Sequence, residues 1–591
     1  MTLLAGIYSR TAGDIIPDEI CSAIRRGLSR YPNEATEHFR DDRCYLVKAD
    51  IGAYVDPALH IDGDGVSFMV GEPLLAGSGR SRSRSLDLRE LHATFSRDDF
   101  KPLTMARGVF CAAHYRPESG ALILVTDKLG LRPMYYWLGE RYVVFATALR
   151  VLQAVSEVPK VMDVRGVTET CCLEYPLADR TPYASVKLLK SGEFLRVCGA
   201  ESRHGQYWRW DDIKTSDRPL ADLVEEAFAK FKEAVGLRSR ADTTTASFLS
   251  GGLDSRSVVM TLVQQGLRVH TFNFSIAGSQ DQVFGAEFAR LAGTTHTESP
   301  RERGRQVSEL MPETWHATLA RISQRAERPG IVWSGNGGSV TLGHIYLTRH
   351  MVDLARQGNV DGALDLYCKA CASTVPLRLL RPQMRETLSR ITRDGLLEEL
   401  ADLHCPDAGR RLYLFLMLND QRRHSAEHFE EIDLNRLEYH LPLFDSDFVA
   451  SVLSVPLDVC LEHGFYMRWL RLFPKIVLSV PWQAYPGHEP CPLPVPPDLG
   501  YQWEAAEVAR VRQGQRRERA QQAAQMLRSR DFPEVLLKKN SLRLAAWIYR
   551  LRLRDVGHVI GAAHVYYRYW SQCAGNYLTP TVTPALDAKG R

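Results

Sequence analysis

Ser250-Gly251-Gly252-Leu253-Asp254-Ser255 is a stretch whose residue types and spacing suit chemistry on phosphate. Small residues leave the backbone N–H groups open. At the start of a helix those groups and the positive end of the helix dipole make an anion site. Asp254 adds a carboxylate, and beside a bound polyphosphate a carboxylate serves as a magnesium ligand. The motif lacks the lysine and the longer spacing of a P-loop, and it is not a G-x-G-x-x-G fingerprint. Read alone, it serves equally well as a structural turn.

The elements that must position the loop tilt the reading toward phosphate. Ala246 to Leu249 reads as a short buried strand. Arg256 to Gln265 carries Val258, Val259, Leu262 and Val263 at helical spacing, and Gly266 stops the helix. Val269 to Ile276 reads as a second strand. Strand, loop, helix, strand is a parallel βαβ unit.

Around this unit lies a chain of 591 residues, too long for one core. Its net charge of +4 gives no argument for nucleic-acid binding. No stretch of 18 or more apolar residues predicts a membrane span. Met1 to Ile7 lacks a basic segment and a long apolar run, so no signal peptide is read and a cytoplasmic protein is expected. Cys368-x-x-Cys371 lies in a helical run, Val360 to Ala372, and has no second pair to complete a zinc site. Buried free thiols in a reducing compartment fit better.

Residues 1 to about 210 are strand-rich, with short apolar or alternating runs at Tyr45–Val47, Val66–Val70, Val109–Tyr115, Ala121–Thr126, Met134–Leu138 and Tyr142–Ala146. Cys21 to Arg30 reads as a helix. The Arg/Ser run from Gly77 to Ser85 reads as a solvated loop. A boundary falls between Tyr207 and Pro219. Helical signals follow, from Leu220 to Val235 and on to about residue 480. The prolines of Pro481 to Pro497 demand a loop. Residues 500 to 575 return to helical periodicity with charged faces, as at Arg510-Val511-Arg512, and Thr579 to Arg591 reads as a disordered tail.

These features together resemble the asparagine-synthetase family. Asp127-Lys128-Leu129-Gly130-Leu131-Arg132-Pro133-Met134-Tyr135-Tyr136 is similar to that family's D-x-x-G-x-R-P-L-Y-Y run in a glutamine-amidotransferase domain. The resemblance implies an α/β protein: an N-terminal Ntn-hydrolase-like αββα domain (1–210), then a doubly wound parallel-sheet ATP-pyrophosphatase domain of HUP type (211–591) with a helical extension. The family's glutaminase needs a cysteine directly before Gly-Ile. Here Ala5 precedes Gly6-Ile7, and an alanine methyl cannot attack an amide. The domain is therefore expected to be inactive as a glutaminase.

Ser334-Gly335-Asn336-Gly337-Gly338-Ser339 resembles the family's second motif, S-G-x-G-G/S-D, with Ser339 in place of a metal-binding aspartate and Asn336 where relatives place Glu or Tyr. Either a water or another acid, with Asp281 the candidate, would complete the metal shell with Asp254, or the metal site differs. Glu438-Tyr439-His440-Leu441-Pro442 resembles E-x-R-x-P, with His440 in place of the arginine. Trp482 falls where relatives place a lysine.

The resemblance implies that ATP would lie over Leu249, Ser250, Ser275, Ser334, Gly335, Asn336 and Gly337, with its phosphates in Gly251, Gly252, Leu253, Asp254 and Ser255 and Mg2+ on Asp254 and Asp281. Glu438, with His440 or His488, is the candidate base; each reads alternatively as a satisfied structural residue. Trp482, Gln483 and Tyr485 are candidate substrate contacts, with Trp482 and Tyr485 alternatively anchors of the proline-rich loop. Ser339, Glu438 and the Pro-Trp-Gln-x-Tyr-Pro-Gly-His pattern look most like lasso-peptide cyclases. In such enzymes a side-chain Asp or Glu of a core peptide is adenylated and the peptide's N-terminal amine closes a macrolactam. A companion leader peptidase and a leader-recognition protein are the partners implied. A small-molecule amide ligase and a non-catalytic nucleotide-binding scaffold are the alternatives.

Overall fold

Alternation governs the N-terminal half. In the strand Ala121–Thr126, Leu122 and Leu124 enter one core while Ile123 and Val125 enter another. A strand apolar on both faces must be covered on both. The computed structural model, which describes residues 3–75, 83–240, 242–300, 307–371, 373–501 and 516–579, shows how. One antiparallel sheet runs Glu201–Gln206, Glu193–Cys198, Ala121–Thr126, Phe110–Arg116, Gly65–Gly71, Leu59–Asp62. In the other, Leu3–Ser9 lies between Tyr142–Ala146 and Cys44–Asp50, with Tyr135–Leu138 and Ala35–Arg40 beyond them. Leu4, Leu46, Phe68, Val70, Leu122 and Phe145 fill the space between the sheets. Helix Arg84–Ser96 covers the first sheet's outer face through Leu88, Leu91 and Phe95, against Met69, Ala112 and Ile123. Helices Asp18–Leu28 and Leu149–Ala154 lie against the second sheet. The layers are helix, sheet, sheet, helix, as the resemblance implies.

The second half is a parallel sheet. Its order is Thr295–Glu298, Arg268–Asn273, Thr244–Phe248, Ile331–Trp333, Glu438–His440, and every pairing is parallel. Helices Leu253–Gln264 and Gln280–Ala292 join the first three strands in chain order. The order reverses between Thr244–Phe248 and Ile331–Trp333. In a doubly wound sheet, ligands bind beyond the carboxyl ends of the strands at that reversal.

Packing divides the chain into two compact units. One comprises Met1–Ser156, Leu189–Asn359 and Leu403–Val511, so it holds both the sandwich and the parallel sheet. The other comprises Glu157–Leu188, Val360–Asp402 and Arg512–Arg591. It is built from helices Val164–Leu173, Val360–Cys371, Pro382–Ala401, Arg516–Arg528, Lys539–Arg550 and Gly557–Gln572, with Met162–Asp163 pairing in parallel with Tyr577–Leu578. A cut at residue 210 thus separates the sandwich from the parallel sheet but not the packing units. Helix Val164–Leu173 docks on helices from the C-terminal half, with the Thr168 and Tyr566 hydroxyls 2.7 Å apart.

The proline-rich segment forms no helix or strand. Cys368 is a free thiol. Most of the Gly77–Ser85 loop, Arg510 to Arg512, and the tail beyond Thr579 lie outside the described residues. Among the described residues, no single helix is long and apolar enough to cross a membrane.

Candidate active site

Two glycine loops meet at the reversal of strand order. Ser250–Ser255 follows Thr244–Phe248, and Ser334–Ser339 follows Ile331–Trp333. A Cβ on Gly335 would stand 2.5 Å from the Ser255 amide nitrogen, so only glycine allows this approach. Gly338 leaves room in the same way for the Asp254 carboxylate. With Phe248, His463, Tyr466 and the Trp482–Tyr485 segment, the loops line a pocket of about 310 Å3.

Of the candidate binding residues, Ser250, Gly252, Leu253, Asp254, Ser255, Asp281, Ser334, Gly335, Asn336, Trp482, Gln483 and Tyr485 line this pocket. Leu249, Gly251, Ser275 and Gly337 do not. Leu249 is a core side chain, 1% exposed. Gly251 and Ser275 act from beneath: the Gly251 amide donates to Asp281 Oδ1 at 2.7 Å and the Ser275 hydroxyl donates to Asp281 Oδ2 at 2.5 Å. Gly337, at φ +96°, turns the second loop against the Phe444 ring.

Ser339 has a role the motif comparison did not assign. Both its amide and its hydroxyl donate to Asp254 Oδ2, at 3.0 and 2.6 Å. Tyr466 donates to the other oxygen, Oδ1. Tyr485 in turn donates to the Ser339 hydroxyl at 3.3 Å. Burial pushes the Asp254 carboxyl up, and the Ser339 and Tyr466 hydrogen bonds pull it back. Where relatives are implied to add a second charge, this chain adds donors that hold the first one.

The residues fit a hard divalent cation. Two carboxylates, Asp254 and Asp281, line one cavity beside a helix N-terminus, and oxygen donors are what Mg2+ takes. Other polar atoms in the cavity wall await partners. Both amide atoms of Gln483 and Nε2 of His463 are buried without a hydrogen bond.

The candidate bases are placed elsewhere. Glu438 does not line the pocket. It is fully buried, and its Oε1 accepts from the Arg132 guanidinium of the sandwich and from the Tyr439 amide. Burial raises its pKa even beside Arg132. His440 packs against Trp333, with ring centroids 4.6 Å apart, and lies 3.7 Å from Glu72. Burial lowers its pKa to about 4. Neither group reaches the cavity, because the edge strand that carries both turns them toward the sandwich. The structure thus sets the candidate bases Glu438 and His440 apart from this cavity. His488 stands behind the wall, its ring 4.3 Å from that of His463.

Sequence reasoning missed three residues. His463 lines the pocket, while its Nε2 is buried beside Gly343 without a hydrogen bond; burial holds its pKa down to about 3, so the ring is neutral. It follows Glu462, and both adopt positive φ, +57° and +68°, strain of the kind found at functional sites. Tyr466 sits one helical turn on. Arg256, fully buried, donates to the carbonyls of Gly251, Val477, Val480 and Pro481, at 2.6 to 3.3 Å, tying the proline-rich segment to the glycine loop. Its signal was a charged residue on the apolar face of the first βαβ helix.

The comparisons with known proteins agree with this organisation. The family model described as a glutamine amidotransferase domain matches residues 81–208, and the one described as asparagine synthase matches residues 227–326, including the first glycine loop. A putative glutamine-hydrolysing asparagine synthetase of Methanocaldococcus jannaschii is 28% identical over 184 residues, covering 30% of this chain and 35% of that protein. Amidase chry2 of Gibberella zeae is 26% identical over 175 residues, covering 28% of this chain and 25% of that protein. The chain thus spans about a third or less of the length of these relatives. A solved glutamine phosphoribosylpyrophosphate amidotransferase from B. subtilis overlaps 56% of this chain and 94% of its own at 13% identity and a TM-score of 0.25, too low to add to the fold read from the strand order. Both domain models match in sequence order and the asparagine synthase match spans the phosphate-type loop, so over these residues the chain is similar to the asparagine-synthetase family.

Proposed function

We propose that this chain is an ATP-dependent, AMP-forming amide ligase and, within that class, a lasso-peptide cyclase. The observation that carries the ligase reading is the pocket itself: two glycine loops at the switch point, with Asp254 and Asp281 facing one cavity. ATP would place its phosphates on the Gly252–Ser255 amides at the N-terminus of helix Leu253–Gln264. Mg2+ held by Asp254 and Asp281 would neutralise phosphate charge. A substrate carboxylate oxygen then attacks the α-phosphorus, the bond to the β-phosphate oxygen breaks, and pyrophosphate leaves. In the second step an amine nitrogen attacks the acyl carbon, AMP leaves, and the amine's proton passes to a base. His463, a neutral imidazole whose residue lines the pocket, is the group we assign to take that proton.

The cyclase reading is supported by two further features. Ala5 occupies the nucleophile position of the amidotransferase-like domain and is fully buried in a central strand, so the amine does not come from glutamine hydrolysed there. Trp482, Gln483 and Tyr485 line the same pocket as the phosphate loop, and a peptide would meet them there. A core peptide is then the partner, supplied by a leader peptidase and a leader-recognition protein. Incubation with ATP, magnesium and a leader-free precursor should give a product lighter by one water, together with AMP. If AMP forms but the peptide mass does not change, the cyclase reading fails. The name of the Methanocaldococcus jannaschii relative, an asparagine synthetase, favours a second reading, a small-molecule ligase. ATP–pyrophosphate exchange driven by free aspartate, and not by peptide, would select it.

A further inference from the structure

The layer between helix Arg84–Ser96 and its sheet is apolar, filled by Met69, Leu88, Leu91, Phe95 and Ala112. At its open edge a polar row crosses three strands. His60 pairs in register with Ser67, and Ser67 with His114. His92 comes down from the helix. Ser67, His92 and His114 are 0%, 2% and 0% exposed. Buried polar groups in an apolar layer require a reason.

His60 and Asp62 stand two apart on the edge strand and so share one face. Asp62 Oδ1 lies 2.8 Å from His92 Nε2, and Oδ2 lies 3.2 Å from His60 Nε2. The three ligand atoms all fall within 4.8 Å of one another; among the described residues no other such group of three occurs. The Asp62 carboxylate is held in place by the Asp64 amide, at 2.8 Å, in the tight turn that joins the hairpin. Donors around a tetrahedral first-row cation lie ~3.3 Å apart, given metal–ligand distances of about 2.0–2.1 Å. The two His–Asp contacts, at 2.8 and 3.2 Å, need to open by no more than about half an ångström, and the three donors already stand within 4.8 Å of one another.

We propose that His60, Asp62 and His92 form a binding site for a divalent first-row cation of the zinc class, with the remaining positions open to water. Two imidazoles and a carboxylate are a donor set for such ions. The site's outer shell is present as well. Ser67 Oγ is 3.0 Å from His92 Nδ1 and 2.8 Å from His114 Nδ1. With a cation on His92 Nε2, the proton sits on Nδ1 and donates to Ser67. Ser67 donates to His114 Nδ1, and His114 carries its proton on Nε2. A ligating histidine fixed through its other nitrogen is the usual arrangement in metal sites. The site joins the edge hairpin to the covering helix, and it is separate from the ligase pocket.

The test uses the full chain, stripped with a chelator and dialysed against micromolar Zn2+ without ATP or magnesium. Side chains of His60 and Asp62 are 27% and 42% exposed, so His60→Ala and the isosteric Asp62→Asn leave the core intact. Wild type should retain one more equivalent of zinc than either variant. Co2+ in its place should give visible absorption bands that both variants lack. Equal zinc content in wild type and both variants, or cobalt bands that survive both substitutions, would overturn the proposal and leave a hydrogen-bonded His–Asp–His cluster.

Discussion

Ser339 carries more of the site's logic than its size suggests. It spends both its donors on Asp254, and its hydroxyl receives one from Tyr485. Ser339→Ala removes the hydroxyl but keeps the amide bond, so Asp254 stays in place with a weaker hold. A loss of roughly 10–100-fold in AMP formation is expected, the usual cost of removing a group that orients a metal ligand. Ser339→Asp should not restore a family-like site. It replaces a donor with a second carboxylate, which raises the pKa of both acids, so the acid limb of the pH–rate profile moves to higher pH. An unchanged limb would show that Asp254 does not depend on position 339. His463 makes a separable prediction. His463→Gln should slow product formation while ATP–pyrophosphate exchange persists, since the first step does not need this base. The same residue affects stability with a definite sign. Its folded pKa, about 3, lies below its ordinary value of 6.5, so the folded form resists protonation. The stability it contributes is full above pH 6.5 and is lost as pH falls toward 3. The denaturation midpoint of His463→Gln should therefore vary less between pH 6.5 and 5 than that of wild type.

At the scale of elements, the decisive piece is the irregular one. The proline-rich segment makes no ladder or helix of its own, yet it forms one wall of the pocket. Arg256 holds it by carbonyls that no regular structure satisfies, and Trp482, 4% exposed, anchors it in the core. Arg256→Met strands those carbonyls, each unsatisfied buried group costing about 1–3 kcal/mol. The segment should then be cut rapidly by chymotrypsin at Trp482 or Tyr485. Arg256→Lys should not rescue it, because one ammonium cannot reproduce a planar fork of donors. Resistance equal to wild type would mean that packing alone holds the wall. Much of this architecture was legible in the sequence. The first βαβ unit was placed to within a few residues because glycine and helical periodicity mark its joints. The strand Leu3–Ser9 was not read, because a central strand buried on both faces shows no alternation. Glu438 and His440 were read as site residues because a motif fixes residue types along a strand. Which side of the sheet edge they meet depends on a partner domain far away in sequence.

At the scale of the molecule, the sandwich has a use that does not require a nucleophile. It supplies arginines to acids of the parallel-sheet domain. Arg107 pairs with Asp445, Arg132 with Glu438, and both partners of each pair are almost wholly buried. Asp445 also accepts from Arg238 and caps helix Ser446–Leu453. These charges are compensated only while both domains are folded together, which gives the chain a physical reason to keep the sandwich apart from any chemistry it does. Removing one member of a buried pair leaves the other uncompensated, at a cost of about 3–5 kcal/mol, while replacing both by apolar groups of similar volume is often nearly neutral. Arg132→Met and Glu438→Gln should therefore each lower the unfolding midpoint strongly. The double variant Arg132→Met, Glu438→Leu should recover most of the loss, because neither charge then needs the other. Below the unfolding temperature, Glu438→Gln should turn over ATP at close to the wild-type rate per folded molecule, since its carboxylate faces the sandwich and not the cavity. The opposite pattern, wild-type stability with the second chemical step abolished, would restore Glu438 to the role of base and require the edge strand to open during turnover.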